Sequence, residues 1–587
     1  MKSKITGWSF LLMIVIVFAG CSKNWLKPEP LSVFTPENTF VDKAGLESVL
    51  LACRRNLGVE YYGSKAHIGT AEYTLSDISV FGGPSDSHDL TTQMLPNYTV
   101  YARVDASDGY WAIFWKDIKD ANTVVSHIDD VKWTSDAEKN AILAEGFFHR
   151  SYRYYRLANQ YGDIPFILDE SITPKLDFYS YTRESIIKKL IKDMEFSVQW
   201  LPENILPGMV SRAAGQHLLT KLYLQAREFD KAIEAASWVI EKSGHSLMRN
   251  RFGKYAGEVK YDVMWDLHQK ENKSSAENKE ALLVVQDKFG MQGNFSGGTS
   301  RMRDWVPAWW WTPVLDPNGK KGVTDGKEGR PQIDSIGRGI GHVRSDNYFN
   351  YTIWSDPNDL RHSDVNWFSK DEFYYNLPSS PYYRKPFDEK AIGLDSIRCW
   401  YPFPYNKVYV FDEERSVPNI DGGHSDWYVF RLAETYLLRA EAYYWKNNLQ
   451  KAADDINEVR RRAHANDVKA EEIDLEYIFA ERARELFCEE PRKTELVRAS
   501  YIMAKLNREG YTLENMSKKS WFYDMVMKHN NFYANRIMYG SQRYIMEPYH
   551  VYWPIPQSSI DANTQGFINQ NEGYPASRPN VAPLDYN

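Results

Sequence analysis

"LRAEAYYWKNNLQKAADDI", residues 438–456, carries an aromatic side chain at Tyr443, an apolar one six positions later at Leu449 and a small one nine positions later at Ala452. The same spacing stands at Tyr223, Phe229 and Ala232 in "LTKLYLQAREFDKAIEAA", residues 219–236. Each stretch reads as two short amphipathic helices joined by a tight turn, with a small Ala where the paired helices approach.

The pattern resembles the helix-turn-helix unit of a tetratricopeptide repeat. Repeat units bury their faces against neighbours, yet Tyr443 lies 220 residues beyond Tyr223. The chain must therefore bring its flanks together and loop out the middle. Further helical signal supports this. Between Glu138 and Gln160, Ala141, Ala144, Phe148, Ser151, Tyr155 and Ala158 recur at three-four spacing, with His149, Arg150, Arg153 and Arg156 off that face. Gly162 and Pro165 follow in the order that closes a helix. The fold class expected is all-α dominated: a tetratricopeptide-like helical scaffold with a large irregular, aromatic-rich insertion.

That insertion is read at residues 246–425. Helical periodicity fades there, and turn-forming stretches such as "LDPNGKKGVTDGKEGRP" and "WSDPND" appear. Seven of the 19 tryptophans fall between Phe295 and Phe411, too many for a structureless loop. "RDWVPAWWWTP", residues 303–313, concentrates four of them. Pro307 and Pro313 bracket the stretch, so it reads as a loop rather than a helix interior or central strand. An indole offers a broad apolar face with an N–H at its edge, suited to the C–H face of a sugar ring. Trp305, Trp309, Trp310 and Trp311, with Arg303 and Asp304 beside them for hydroxyl groups, are the candidate ligand residues. Three consecutive indoles cannot all point one way, so one or two are expected to meet ligand and the rest to pack as core.

The N-terminus differs in kind. Lys2 and Lys4 precede an apolar run from Trp8 to Ala19, and Ala19-Gly20-Cys21 follows. This order describes a secretory signal over residues 1–20. Small-small-Cys resembles a bacterial lipobox, which makes Cys21 the expected acylation site and residues 21–30 a lipidated tether. Cys53, Cys399 and Cys488 remain; they form no metal or redox spacing and read as buried thiols. No second apolar run of membrane-spanning length occurs.

Several function classes are disfavoured. Net charge is −7 without long single-sign blocks, which gives no basis for nucleic-acid binding. The zinc-protease, P-loop and nucleophile-elbow motifs are missing. "GRGIGH", residues 337–342, half resembles a phosphate loop but reads as a flexible turn. The 13 histidines are scattered. Nothing assigns a catalytic residue, a metal site or a cofactor. Glu481, Arg482, Glu485, Arg492, Glu495 and Arg498, like Arg431, Glu434, Arg439 and Glu441, read as ion pairs that lock helices together.

Five motifs in order then carry a family resemblance. They are "AEGFFHRSYRYYRLANQYGDIPFI", "YTRESIIKKLIKDMEFSVQWLPE", "VFRLAETYLLRAEAYYWKNNLQKAADDINEVRRRA", "ERARELFCEEPRKTELVR" and "YWPIPQSSIDANTQGFINQNEGY". Together they resemble the SusD/RagB-type outer-membrane lipoproteins of the Bacteroidetes. The resemblance implies a binder of oligosaccharides, less often peptides, that is not a catalyst. It implies an outward-facing lipid anchor in the outer membrane and a SusC-like TonB-dependent transporter as partner. The turn-rich stretch before "GYWAIFWKDIKDAN" resembles a loop of the family's ligand face, which adds Tyr98 and Tyr101 as candidates. The expected division is residues 31–245 helical, 246–425 ligand-face insertion and 426–587 helical. A peptide-binding member of the family and a purely structural repeat scaffold stay open as alternatives; aromatic faces serve sugar and peptide alike.

Overall fold

The computed structural model describes residues 39–62, 69–83, 109–171, 173–295, 298–311, 314–392, 396–411, 423–540 and 542–586. Cys21, Tyr98 and Tyr101 lie outside them.

Helices dominate both flanks. The N-terminal flank holds α1 (Lys43–Asn56), α2 (Tyr110–Ser126), α3 (Asp136–Tyr161), α4 (Arg183–Trp200), α5 (Arg212–Ala226) and α6 (Phe229–Lys242). The C-terminal flank holds α7 (Leu432–Trp445), α8 (Leu449–Arg462), α9 (Leu475–Leu486), α10 (Arg492–Lys505) and α11 (Trp521–His529). Local chemistry sets the boundaries. Ser135, Thr182 and Ser211 cap α3, α4 and α5 by accepting backbone N–H groups that the first turn cannot satisfy. Gly162 ends α3 at φ 73°, a left-handed conformation that favours glycine.

The two hairpins read from sequence are α5–α6 and α7–α8. Each turns through one left-handed residue, Arg227 at φ 64° and Asn447 at φ 59°. Ala232 and Ala452 are fully buried at the hairpin contacts. Helix α6 packs directly on α7, so the flanks meet across the insertion. Phe229 and Trp445 stack between the two hairpins, ring centroids 6.1 Å apart and planes 14° from parallel. An antiparallel pair feeds this junction: β2 (Ala281–Val285) lies beside β4 (Trp427–Arg431), and the chain passes straight from β4 into α7.

Helix α3 corrects the amphipathic reading. From Phe148 to Tyr161 every residue is buried, including His149, Arg150, Arg153 and Arg156. The charges are tolerated because carboxylates meet them: Asp193 faces Arg150, Glu60 and Asp117 face Arg153, and Glu60 and Glu72 face Arg156. Burial alone would raise the Glu60 carboxyl, but Arg156 and Arg153 outweigh it and hold it at about 2. The C-terminal charges behave alike. Arg482 meets Glu490, Glu495 and Glu434, Glu485 meets Arg431, Arg462 and Arg361, and Arg492 meets Asp77. These pairs join α7, α9 and α10 to one another and to the segment near Asp77.

The middle of the chain builds a second core of short elements. Met302, Trp309, Phe349, Trp367, Phe373 and Phe403 are among its buried side chains. The strand pair β1 (Ser79–Phe81) and β3 (Val343–Ser345) ties it to the N-terminal flank, antiparallel with Ser79 opposite Ser345. Helix α9 supplies its other wall through Ala480 and Ala483, and just beyond that helix Phe487 stacks on Phe349 at 4.0 Å.

The three described cysteines are buried and form no disulfide. No helix among the described residues is long and apolar enough to cross a membrane.

Candidate ligand face

The tryptophan-rich stretch is not all loop. Ser300–Trp305 is a short helix capped by the Thr299 side chain, and it stops at Trp305 two residues before Pro307. Arg303, Asp304 and Trp305 therefore sit on a helix, where the bracketing prolines led the sequence reading to expect none.

Two of the four indoles are core. Trp305 is 1% exposed, edge-on to Tyr73 at 5.5 Å, with the Arg301 guanidinium 4.6 Å above its ring. Trp309 is fully buried and donates its Nε1–H to the Gly337 carbonyl at 2.8 Å. Asp304 is also fully buried, with its Oδ1 2.8 Å from His342 Nδ1. These three side chains present nothing to solvent, which removes them from the ligand candidates by geometry.

Trp310 and Trp311 remain half-buried. Trp310 donates to the Gly339 carbonyl at 2.6 Å, and the Arg338 guanidinium stacks 3.8 Å from its ring centre. Arg338 is itself held by Asp325, through Nη2 at 2.8 Å. Arg303 donates to the Arg338 carbonyl at 2.8 Å and lies 5.8 Å from the Trp310 ring. The Arg398 guanidinium stacks on Trp311 at 4.2 Å and donates through Nε to the Ile340 carbonyl at 2.7 Å. Trp310, Trp311, Arg303 and Arg398 thus form one half-exposed row, and the buried Arg338 fixes Trp310 within it. Its rings offer apolar area, and its arginine N–H groups offer donors in fixed planes.

The "GRGIGH" turn positions this row. Its carbonyls at Gly337, Gly339 and Ile340 accept from Trp309, Trp310 and Arg398. Gly339 is needed there: a Cβ would stand 1.9 Å from the Val306 carbonyl oxygen. The half-resemblance to a phosphate loop is resolved as a cradle for indoles. Gly83 packs against Arg398, with an added Cβ only 2.5 Å from its Cδ, so the chain just after β1 reaches the same edge.

Sequence reading named Trp310, Trp311 and Arg303 but missed Arg338 and Arg398. Arg338 lies in a turn whose glycines read as flexible. Arg398 is distant in sequence, and no local spacing marks it.

The described architecture defines a helical-repeat scaffold that carries an irregular, aromatic-faced insertion. Comparison with known proteins gives that class its family. Residues 344–574 match the model described as the SusD family, and residues 67–224 match the one described as starch-binding, associating with outer membrane. The chain belongs to the SusD family. Among its relatives in Formosa agariphila, SusD-like protein P25 is 22% identical over 94% of this chain and 97% of its own length. SusD-like protein P2 is 25% identical over 42% of this chain, and the match spans 48% of that relative. A solved laminarin-binding SusD-like protein superposes with a TM-score of 0.61, covering 91% of this chain and 100% of that one at 18% identity.

Proposed function

We propose that this protein is a glycan-binding lipoprotein, and not an enzyme. It captures oligosaccharides at the outer surface of the outer membrane and passes them to a TonB-dependent, SusC-like transporter. The observation that carries the reading is the half-exposed row formed by Trp310, Trp311, Arg303 and Arg398 on the insertion. Indole rings receive the C–H faces of sugar rings, and the arginines donate to hydroxyl oxygens at their edges. The family match supports carbohydrate as the ligand class, and the laminarin-binding structure offers a β-glucan as the first ligand to try. Cys21 would anchor the protein, and Tyr98 and Tyr101 would extend the ligand face. A tethered binder moves no cargo across a membrane by itself, so a transporter partner completes the scheme.

Calorimetric titration with laminarin and starch oligosaccharides tests it, run beside a panel of unrelated peptides. Saturable binding to a glycan, weakened by Trp311→Ala, is the expected result. Binding to peptides with none to any glycan would move the protein to the peptide-binding class. Co-purification in mild detergent tests the transporter: a large barrel protein should accompany it at near-equal amount.

A further inference from the structure

A cavity of about 640 Å³ lies far in sequence from the indole row, where the start of α4 meets α10 and the C-terminal segment. Such a volume accommodates a small ligand. Asp163, Arg183, Lys188, Tyr501, Lys505 and Asn571 are among the residues of its wall. Most of that wall is polar or charged, so the cavity suits a hydrophilic occupant.

Arg183 is the unusual member. It is 2% exposed, and its ring-stacking partner is Tyr501, with the guanidinium 4.1 Å from the ring centre. One terminal nitrogen donates to Tyr552 Oη at 3.3 Å and the other to Asn159 Oδ1, while Nε finds no acceptor. No carboxylate among the described residues forms an ion pair with this guanidinium. Arg150, Arg153 and Arg156, buried to the same degree, each sit on at least one. A buried cation without an anion is costly. Asp163 is also in the wall, but its Oδ1 accepts from the Arg183 backbone N–H at 2.8 Å, and burial raises its carboxyl above the usual range.

The rim carries both signs, and its carboxylates are already engaged. Glu184 is shared by Lys505, Lys188 and Arg227, three cations on one carboxylate. Asp585 is engaged by the Thr182 hydroxyl. Ser185 and Asn571 spend their side-chain donors on backbone carbonyls, which leaves their oxygens as acceptors for hydroxyls.

We infer that this cavity is a second binding site, which takes the carboxylate of a compact, hydroxyl-rich acid such as a uronic acid unit, with Arg183 as its cationic partner. The inference stands apart from the indole row and does not depend on it.

Saturation-transfer NMR with D-galacturonate as probe and D-galactose as neutral control tests it on the full chain. Galacturonate should bind saturably and galactose about tenfold more weakly or not at all. Arg183→Gln should weaken galacturonate about tenfold or more. Lys188→Glu should weaken it about threefold, because it reverses a charge at the mouth of the cavity. The Lys188 side chain is 68% exposed, so this variant keeps the test open if Arg183→Gln does not fold. Trp311→Ala should leave galacturonate affinity unchanged while it weakens any glycan bound on the indole row. Absence of saturable binding, equal affinity for galactose, or wild-type affinity in folded Arg183→Gln or in Lys188→Glu each overturns the inference.

Discussion

Arg498 holds Glu441 at two points, Nη1 to Oε1 at 2.8 Å and Nη2 to Oε2 at 2.6 Å, and neither side chain has any exposed surface. The pair joins α10 to α7. Arg498→Met alone leaves a carboxylate buried without its main counter-charge and should cost about 3–5 kcal/mol. The double variant Arg498→Met with Glu441→Leu removes both charges and should recover part of that loss. Denaturant midpoints of the two variants check this. A single variant as stable as wild type would mean that the Trp445 Nε1–H, which donates to Glu441 Oε1 at 2.9 Å, suffices.

Gly339→Ala should unfold the row of indoles before it unfolds the protein. The added methyl would meet the Val306 carbonyl oxygen at 1.9 Å, so the turn must move, and the turn holds Trp310 through the Gly339 carbonyl. Relief of the clash should cost about 1–3 kcal/mol. Tryptophan fluorescence should shift toward solvent-exposed values while far-ultraviolet circular dichroism is retained. An unchanged spectrum would show that the turn has another route to the same packing.

The repeats were legible because their determinants are local. Tyr223, Phe229 and Ala232 lie within ten positions, as do Tyr443, Leu449 and Ala452, and spacing alone reports the shared hairpin. Their contact was legible only as a requirement; that Phe229 and Trp445 would be the rings to meet was not. The environment of α3 was misread for a physical reason. Periodicity assigns charged residues away from the core, but Arg153 and Arg156 are buried against Glu60, whose position nearly 100 residues earlier carries no local signal. The candidate site shows the same split. Composition marked the indoles, and proximity marked Arg303. Which indoles are covered depends on Gly337, Gly339 and Arg398, brought in by the tertiary fold.

Acid stability should depend on His550. Burial pushes its pKa down to about 3, with Lys493 adding to the effect, and its Nδ1 already accepts the Glu547 backbone N–H. An unfolded His titrates near about 6.5. Between those values the unfolded chain binds the extra proton, so stability falls as pH drops from about 6.5 toward 3. His550→Gln removes this term. Its melting temperature should decline less steeply than that of wild type over the same interval, whatever its value at pH 7. Parallel curves would show that the ring is protonated in the folded state with little penalty.

Cys21 should be the first residue of the mature protein, thioether-linked to lipid. The motive is the basic, apolar and small-residue order that ends at Ala19-Gly20-Cys21. Intact mass measurement on protein extracted from its native membrane decides it. An N-terminus that retains Met1, or an unmodified Cys21, contradicts the tether.

The four indoles should separate into two classes under alanine substitution. Trp309→Ala empties a fully buried site and releases the Gly337 carbonyl, a change that should cost about 3–5 kcal/mol. Trp305→Ala should behave alike, since its ring is packed between Tyr73 and Arg301. Trp311→Ala removes a half-buried ring whose main partner is the Arg398 guanidinium, so its effect on unfolding should stay below that of Trp309→Ala. Its effect on a glycan ligand should be the larger one. Loss of a stacking ring should weaken binding by about 1–3 kcal/mol, or roughly tenfold to a hundredfold. Trp310→Ala should fall between, because it frees Arg338 as well as removing a ring. Thermal unfolding and calorimetry on the same four variants place each indole on both axes. If Trp310→Ala and Trp311→Ala bind a confirmed glycan as wild type does, the ligand does not rest on this row.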